Sequence, residues 1–152
     1  MTQGSDAGFQ AQPHRESASD TLRNFYNRSH RLIDGMMTAQ GASYARTRLL
    51  MYIAKVGSPR SIDLADYFGY AARSVTEAID GLERDGLVRR DPDSADRRAK
   101  RISLTPAGIL AAASGETTRQ HFIEDVFGAL DPDECAALVA LVEKLNRRLD
   151  TL

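Results

Sequence analysis

The residues with the most chemistry to offer lie close together, between Arg89 and Arg101. Arg89, Arg90, Arg97, Arg98, Lys100 and Arg101 flank the turn-forming run Pro92-Asp93-Ser94-Ala95. Alternation through Arg101, Ile102, Ser103 and Leu104 reads as a half-buried return strand, and Leu87 to Asp91 as the strand before it. The segment is therefore a β-hairpin whose projecting loop carries Asp96, Arg97 and Arg98. A hairpin needs no such density of cations in order to fold. Guanidinium groups on a protruding loop suit phosphate oxygens and the negative potential of a narrow minor groove. Arg90, Arg97, Arg98 and Lys100 are the candidate contacts. Asp96, an acid in a basic loop, is expected to stabilise the hairpin as the ion-pair partner of an arginine.

A second set of candidates precedes the hairpin. From Ser61, the positions of Leu64, Phe68, Tyr70, Val75 and Ala78 are those at which two short helices packed across a tight turn need apolar side chains. Ala65 is small where the helices approach, and Gly69 can adopt the left-handed conformation of the turn. In the second helix Val75, Ile79 and Leu82 form the buried row, so the opposite face presents Ala72, Arg73, Ser74, Thr76 and Glu77, with Asp80 further along. Short side chains at the start of such a helix let it sit deep in a major groove. Arg73 suits a bidentate contact to guanine, Ser74 and Thr76 a phosphate or thymine methyl, and Glu77 a cytosine amine. Helix, turn, helix, strand, basic loop, strand is the order of a winged helix-turn-helix.

The remaining segments must position this reading head. Residues 1–17 are polar without helical or strand period and are expected to be a disordered tail. Ser19 or Asp20 can cap a first helix, along which Leu22, Phe25, Tyr26, Leu32, Ile33, Met36 and Met37 recur at helical spacing until Gly41. Tyr44 to Val56 reads as a second helix, stopped by Gly57, Ser58 and Pro59. After Thr105-Pro106, a cap and a favoured first-turn residue, a long helix runs on, with a bend or close backbone contact expected at Gly115. Asp131-Pro132-Asp133-Glu134 resembles a capping box opening a last helix whose Leu138, Val142, Leu145, Leu149 and Leu152 form a near-heptad seam. The expected architecture is mainly α with a small β-hairpin wing. Residues 18–152 form one domain, with the winged helix-turn-helix over about 44–105 and dimerisation helices over about 19–40 and 106–152.

Composition agrees with this organisation. A chain of 152 residues is the length of one domain, and 42% hydrophobic with 27% charged residues is an ordinary globular balance. Net charge is −1, which alone argues against a nucleic-acid partner, but its distribution reverses that. Residues 44–105 hold 12 Lys and Arg against 9 Asp and Glu, whereas residues 106–152 hold 4 against 8, so the reading head is basic and the tail acidic. No apolar run approaches the roughly 20 residues of a membrane span. With no signal-peptide core at the N-terminus, cytoplasmic residence is the expectation. The single cysteine, Cys135, excludes an intramolecular disulfide.

At these residues the chain resembles the MarR family of transcriptional regulators. Its wing signature, Asp-x-Arg, five residues, then Leu-Thr, is met by Asp96, Arg98, Leu104 and Thr105. The stretch from Asp80 to Arg90 is similar to the family's connection between recognition helix and wing, and Thr105-Pro106-Ala107-Gly108 to the opening of its fifth helix. The resemblance implies a homodimer built from first and last helices, binding double-stranded DNA at a pseudo-palindromic operator. It also implies release by a small aromatic, often phenolic, effector, or in one branch by oxidation of a cysteine near the first helices. Cys135 lies instead in the first turn of the last helix and reads as structural.

Other chemistries find little support. His14, His30 and His121 form no ligand-spaced pair, and no phosphate-binding loop, nucleophile elbow or dinucleotide fingerprint is present. No metal, cofactor or enzymatic activity is expected. Tyr26, His30, Arg48 and Tyr52 are candidate effector-binding residues. The competing function is a winged helix that meets another protein instead of DNA, against which the basic wing argues.

Overall fold

The computed structural model describes residues 13–152, and six helices and a two-stranded hairpin follow in the order α1 (Pro13–Thr38), α2 (Tyr44–Val56), α3 (Ser61–Phe68), α4 (Ala72–Arg84), β1 (Val88–Pro92), β2 (Lys100–Leu104), α5 (Pro106–Phe127) and α6 (Pro132–Leu149). This is a winged helix-turn-helix set between long helices. Helix α1 begins at Pro13, ahead of the expected Ser19 or Asp20, so residues 13–17 are helical rather than part of a tail. The rest of the expected tail, residues 1–12, lies outside the described residues. Periodicity missed this first turn because its side chains are all exposed and no apolar stripe marks them.

The reading head forms around one core. Leu49, Leu50 and Ile53 of α2, Leu64 and Ala65 of α3, and Val75, Ile79 and Leu82 of α4 are buried with Val88, Ile102 and Ala112. Truncating any of its large aliphatic side chains to alanine costs about 2–5 kcal/mol. The α3–α4 turn closes on Gly69, whose φ of 65° is left-handed, and whose N–H bonds the Ala65 carbonyl. Strands β1 and β2 pair antiparallel with Val88 opposite Leu104 and Arg90 opposite Ile102. Ile102 N–H also bonds the Pro59 carbonyl at 2.9 Å, which seats the wing on the α2–α3 connection. At the other end, Thr105 Oγ1 donates to the Gly86 carbonyl at 2.6 Å and caps α5 by accepting from Gly108 N–H.

Helices α2 and α5 pack tightly. A Cβ at Gly115 would lie 2.2 Å from Thr47 Cγ2, so the expected close contact at this glycine is found. A smaller core joins Ile33 and Met37 of α1 to Phe122 of α5. Along the rest of α1, Leu22, Phe25, Tyr26 and Leu32 stay exposed. Helix α6 opens with the expected capping box, Asp131 and Glu134 each accepting the other's backbone N–H, yet none of its residues is buried.

Candidate nucleic-acid interface

Helix α4 is sharply divided. Val75, Ile79 and Leu82 are buried, while Ala72, Arg73, Ser74, Thr76, Glu77 and Asp80 are exposed, as their spacing requires. Arg73 Nε donates to Glu77 Oε1 at 2.9 Å, one helical turn away, with both side chains largely in solvent. Thr76 Oγ1 donates back to the Ala72 carbonyl at 3.0 Å, leaving its methyl group and oxygen lone pairs outward. The helix N-cap is Ala71, which supplies no side-chain acceptor, and the first turn holds no acid. Its first backbone N–H groups are therefore open to an anion, which the helix dipole favours.

The wing is ordered by Asp93, which sequence reasoning passed over as turn material. Its buried carboxylate accepts N–H bonds from Ala95 at 2.8 Å and Asp96 at 3.3 Å, and Arg101 Nε at 2.7 Å. The Ala95 N–H bond, aided by Asp96 and Arg101, holds this carboxyl below its usual range against the opposing pull of burial. Arg101 also donates to the Ser58 carbonyl at 3.0 Å, tying the hairpin to the α2–α3 loop. Asp96 takes a different part from the ion pair expected of it. Its Oδ1 accepts the backbone N–H of Arg98 at 2.9 Å, so it bends the loop locally and, among the described residues, pairs with no guanidinium. The acid that holds an arginine is Asp93.

The basic residues divide into two groups. Arg97, Arg98 and Lys100 are exposed, and among the described residues no carboxylate pairs with them. Arg90, grouped with them from the sequence, is instead engaged: its guanidinium donates to Asp80 at 2.5 Å and to Glu83. Burial alone would lower its pKa, but the hydrogen bonds it donates to Asp80 and Glu83 hold it above the ordinary value. That pairing removes Arg90 from the free contacts of the wing.

The four effector candidates are not brought together. Arg48 and Tyr52 line a cleft of about 760 Å³ between α2, α3 and α5, with Tyr44, Tyr67, Phe68 and Arg119. The Arg48 guanidinium lies 4.9 Å from the Phe68 ring centre and 5.5 Å from that of Tyr44, and Nη1 reaches Tyr70 Oη at 3.5 Å. Across the cleft, hydrogen bonds from Arg119 and Gln120 depress the Glu116 carboxyl to about 2. Tyr26 and His30 are exposed on α1 with ring centres 5.9 Å apart, and His30 meets Tyr44 with ring centres 5.4 Å apart. Tyr44, Tyr67, Phe68 and Arg119 are cleft residues that sequence reasoning missed.

Residues 43–100 match the model of the MarR family. Among relatives, YsmB and YwhA of Bacillus subtilis, both described as uncharacterized HTH-type transcriptional regulators, are similar. YsmB is 29% identical over 100 residues, covering 66% of this chain and 68% of its own. YwhA is 27% identical over 120 residues, covering 79% and 86%. The fold is similar to AbsC, a MarR family regulator from Streptomyces coelicolor, with TM-score 0.85 at 16% identity over 93% of this chain and 98% of that one. A mutant MarR from E. coli, complexed with operator DNA, matches with TM-score 0.78 at 20% identity over 89% and 99%. No described helix is long and apolar enough to cross a membrane. Family model, regulator relatives and fold coincide on the reading head built above: over residues 43–100 the chain matches the MarR family, it is similar to HTH-type transcriptional regulators, and its fold is the winged helix of MarR structures.

Proposed function

We propose that two copies of the chain bind a pseudo-palindromic operator, each offering Ala72, Arg73, Ser74, Thr76 and Glu77 to a major groove and Arg97, Arg98 and Lys100 to the flanking backbone or minor groove. One observation carries this reading: among the described residues, Arg97, Arg98 and Lys100 of the wing have no carboxylate partner, and on α4 Arg73 and Glu77 pair only with each other, in solvent. The operator in the matching E. coli complex supports the mode, and the uncommitted cations disfavour a module that meets only proteins. The exposed apolar residues of α1 and α6, among them Phe25, Leu141, Leu145 and Leu149, support a homodimer. Its two recognition helices must then lie about 34 Å apart to read successive half-sites.

The cleft between α2 and α5 supports a small aromatic, anionic effector. Tyr44, Tyr52 and Phe68 offer ring faces, and Arg48 has no carboxylate partner among the described residues. Occupancy there would release the operator, making the protein a repressor of the cytoplasm, where chromosomal DNA lies. The test is a gel shift with the DNA upstream of the chain's own gene at two salt concentrations. Specific retardation that weakens with salt by about 0.9 per phosphate on the log–log slope is expected. Retardation equal to that of scrambled duplex overturns the reading.

A further inference from the structure

Helix α4 carries a contradiction on its exposed stripe. Arg73, Glu77 and Asp80 follow one another along one face, and Glu83 lies one turn beyond Asp80 toward the wing. Three of these four groups are acids, on the element offered to a polyanion. Uncompensated carboxylates there would repel phosphates at close range, where salt screens least. The wing supplies the compensation. Arg90 of β1 places one guanidinium nitrogen on Asp80 and the other on Glu83, and its side chain is only 23% exposed, against 51% and 42% for its partners. Among the described residues, Arg97, Arg98 and Lys100 make no such pair.

We propose that Arg90 is a positioning residue rather than a DNA contact: it binds Asp80 and Glu83 and so neutralises the acidic end of the recognition helix. This rests on the DNA-binding reading above. Planarity suits arginine to the task, since its fork spans two carboxylates that a lysine ammonium meets only as a point charge. The same bridge ties α4 to the wing, so the two DNA-reading elements share one electrostatic joint.

A cycle of four full-length proteins tests this: wild type, Arg90→Gln, Asp80→Asn/Glu83→Gln, and the triple variant. Duplexes selected from a random pool by the wild type, and scrambled counterparts, serve as probes in fluorescence anisotropy over a salt series. In the native background Arg90→Gln is expected to weaken both probes by about tenfold at low salt, and in the carboxylate-free background by less than about twofold. The deficit in the native background should shrink as salt rises, because added repulsion is screened.

Equal losses in both backgrounds would show Arg90 touching DNA directly, and a loss independent of salt would reduce it to a structural prop; either overturns the proposal, as does no loss. Should Arg90→Gln fail to fold by circular dichroism, Arg90→Met, which keeps the aliphatic stem, replaces it in the cycle. If the wild type enriches no duplex, the DNA-binding reading fails instead. Melting temperatures of the same four proteins then still report the bridge, and coupling seen there alone leaves it a part of the fold with no DNA role.

Discussion

Arg101 Nε stands 2.7 Å from the buried Oδ2 of Asp93, across the open end of the wing. The pair fixes the loop whose next residues carry the free cations. Asp93 also gathers the Ala95 and Asp96 amides, so one carboxylate orders both the chain reversal and the strand that returns from it. Its placement explains how a loop rich in like charges keeps one conformation.

Asp93→Ala is therefore expected to loosen the wing without unfolding the chain. Amide hydrogen exchange over residues 93–101 should accelerate, and affinity for any duplex should fall several-fold. Asp93→Asn, which keeps an acceptor for the amides, should be milder. Because this carboxyl's pKa is lowered on folding, its contribution is present above the ordinary value of 3.8 and is lost as pH falls below it toward the depressed value. Exchange in the wing that is unchanged by Asp93→Ala would contradict this account.

Arg98→Ala and Arg73→Ala should separate two kinds of contact. Loss of Arg98 weakens binding to most sequences and lowers the log–log salt slope by about 0.9 if one phosphate contact goes with it. Loss of Arg73 costs about 1–3 kcal/mol at one base position and relaxes preference there. Selection from a random pool with each variant checks both, and identical profiles would remove the division of roles.

Gly115→Ala should destabilise the α2–α5 contact. The added methyl group meets Thr47 Cγ2 at 2.2 Å, a clash expected to cost about 1–3 kcal/mol against the ~1 kcal/mol that alanine gains over glycine in a helix. Thr47→Ser removes that methyl while keeping the hydroxyl that bonds the Ser43 carbonyl. The double variant should therefore melt above Gly115→Ala alone; additive losses would place the strain elsewhere.

Leu145→Glu should interrupt the exposed seam of α6. Light scattering is expected to show dimer for the wild type and monomer for the variant, with two-half-site affinity falling toward that of a single half-site. An unchanged mass would move the subunit interface away from α6.

What the sequence disclosed follows from where the information sits. Val75, Ile79 and Leu82 at spacings of four and three, with Gly69 before them, define α4 and its turn because burial and backbone conformation are local demands. Strand β2 and the α6 capping box were legible for the same reason. Charge partners were not. Arg90 reaches Asp80 and Glu83, and Arg101 reaches Asp93, only after the hairpin has docked, and nothing in the order Asp91, Asp93, Asp96 reveals which acid turns inward. The early start of α1 was hidden too, since a turn exposed on all sides carries no periodic signal. The cleft was half legible: Arg48 and Tyr52 lie on the recognised α2, but Tyr67 and Phe68 join them only through the packing of α3 on α2.

Helix α6 contributes no buried residue within a single chain. An isolated helix of its 18 residues is near the margin of persistence in water, so cover on its exposed apolar face would add to its order. Where that cover is a second copy, thermal resistance becomes a function of abundance by mass action. Dilution would then loosen the scaffold that spaces the two reading heads, and a cell that makes too little of the regulator would hold fewer competent molecules than its total count suggests.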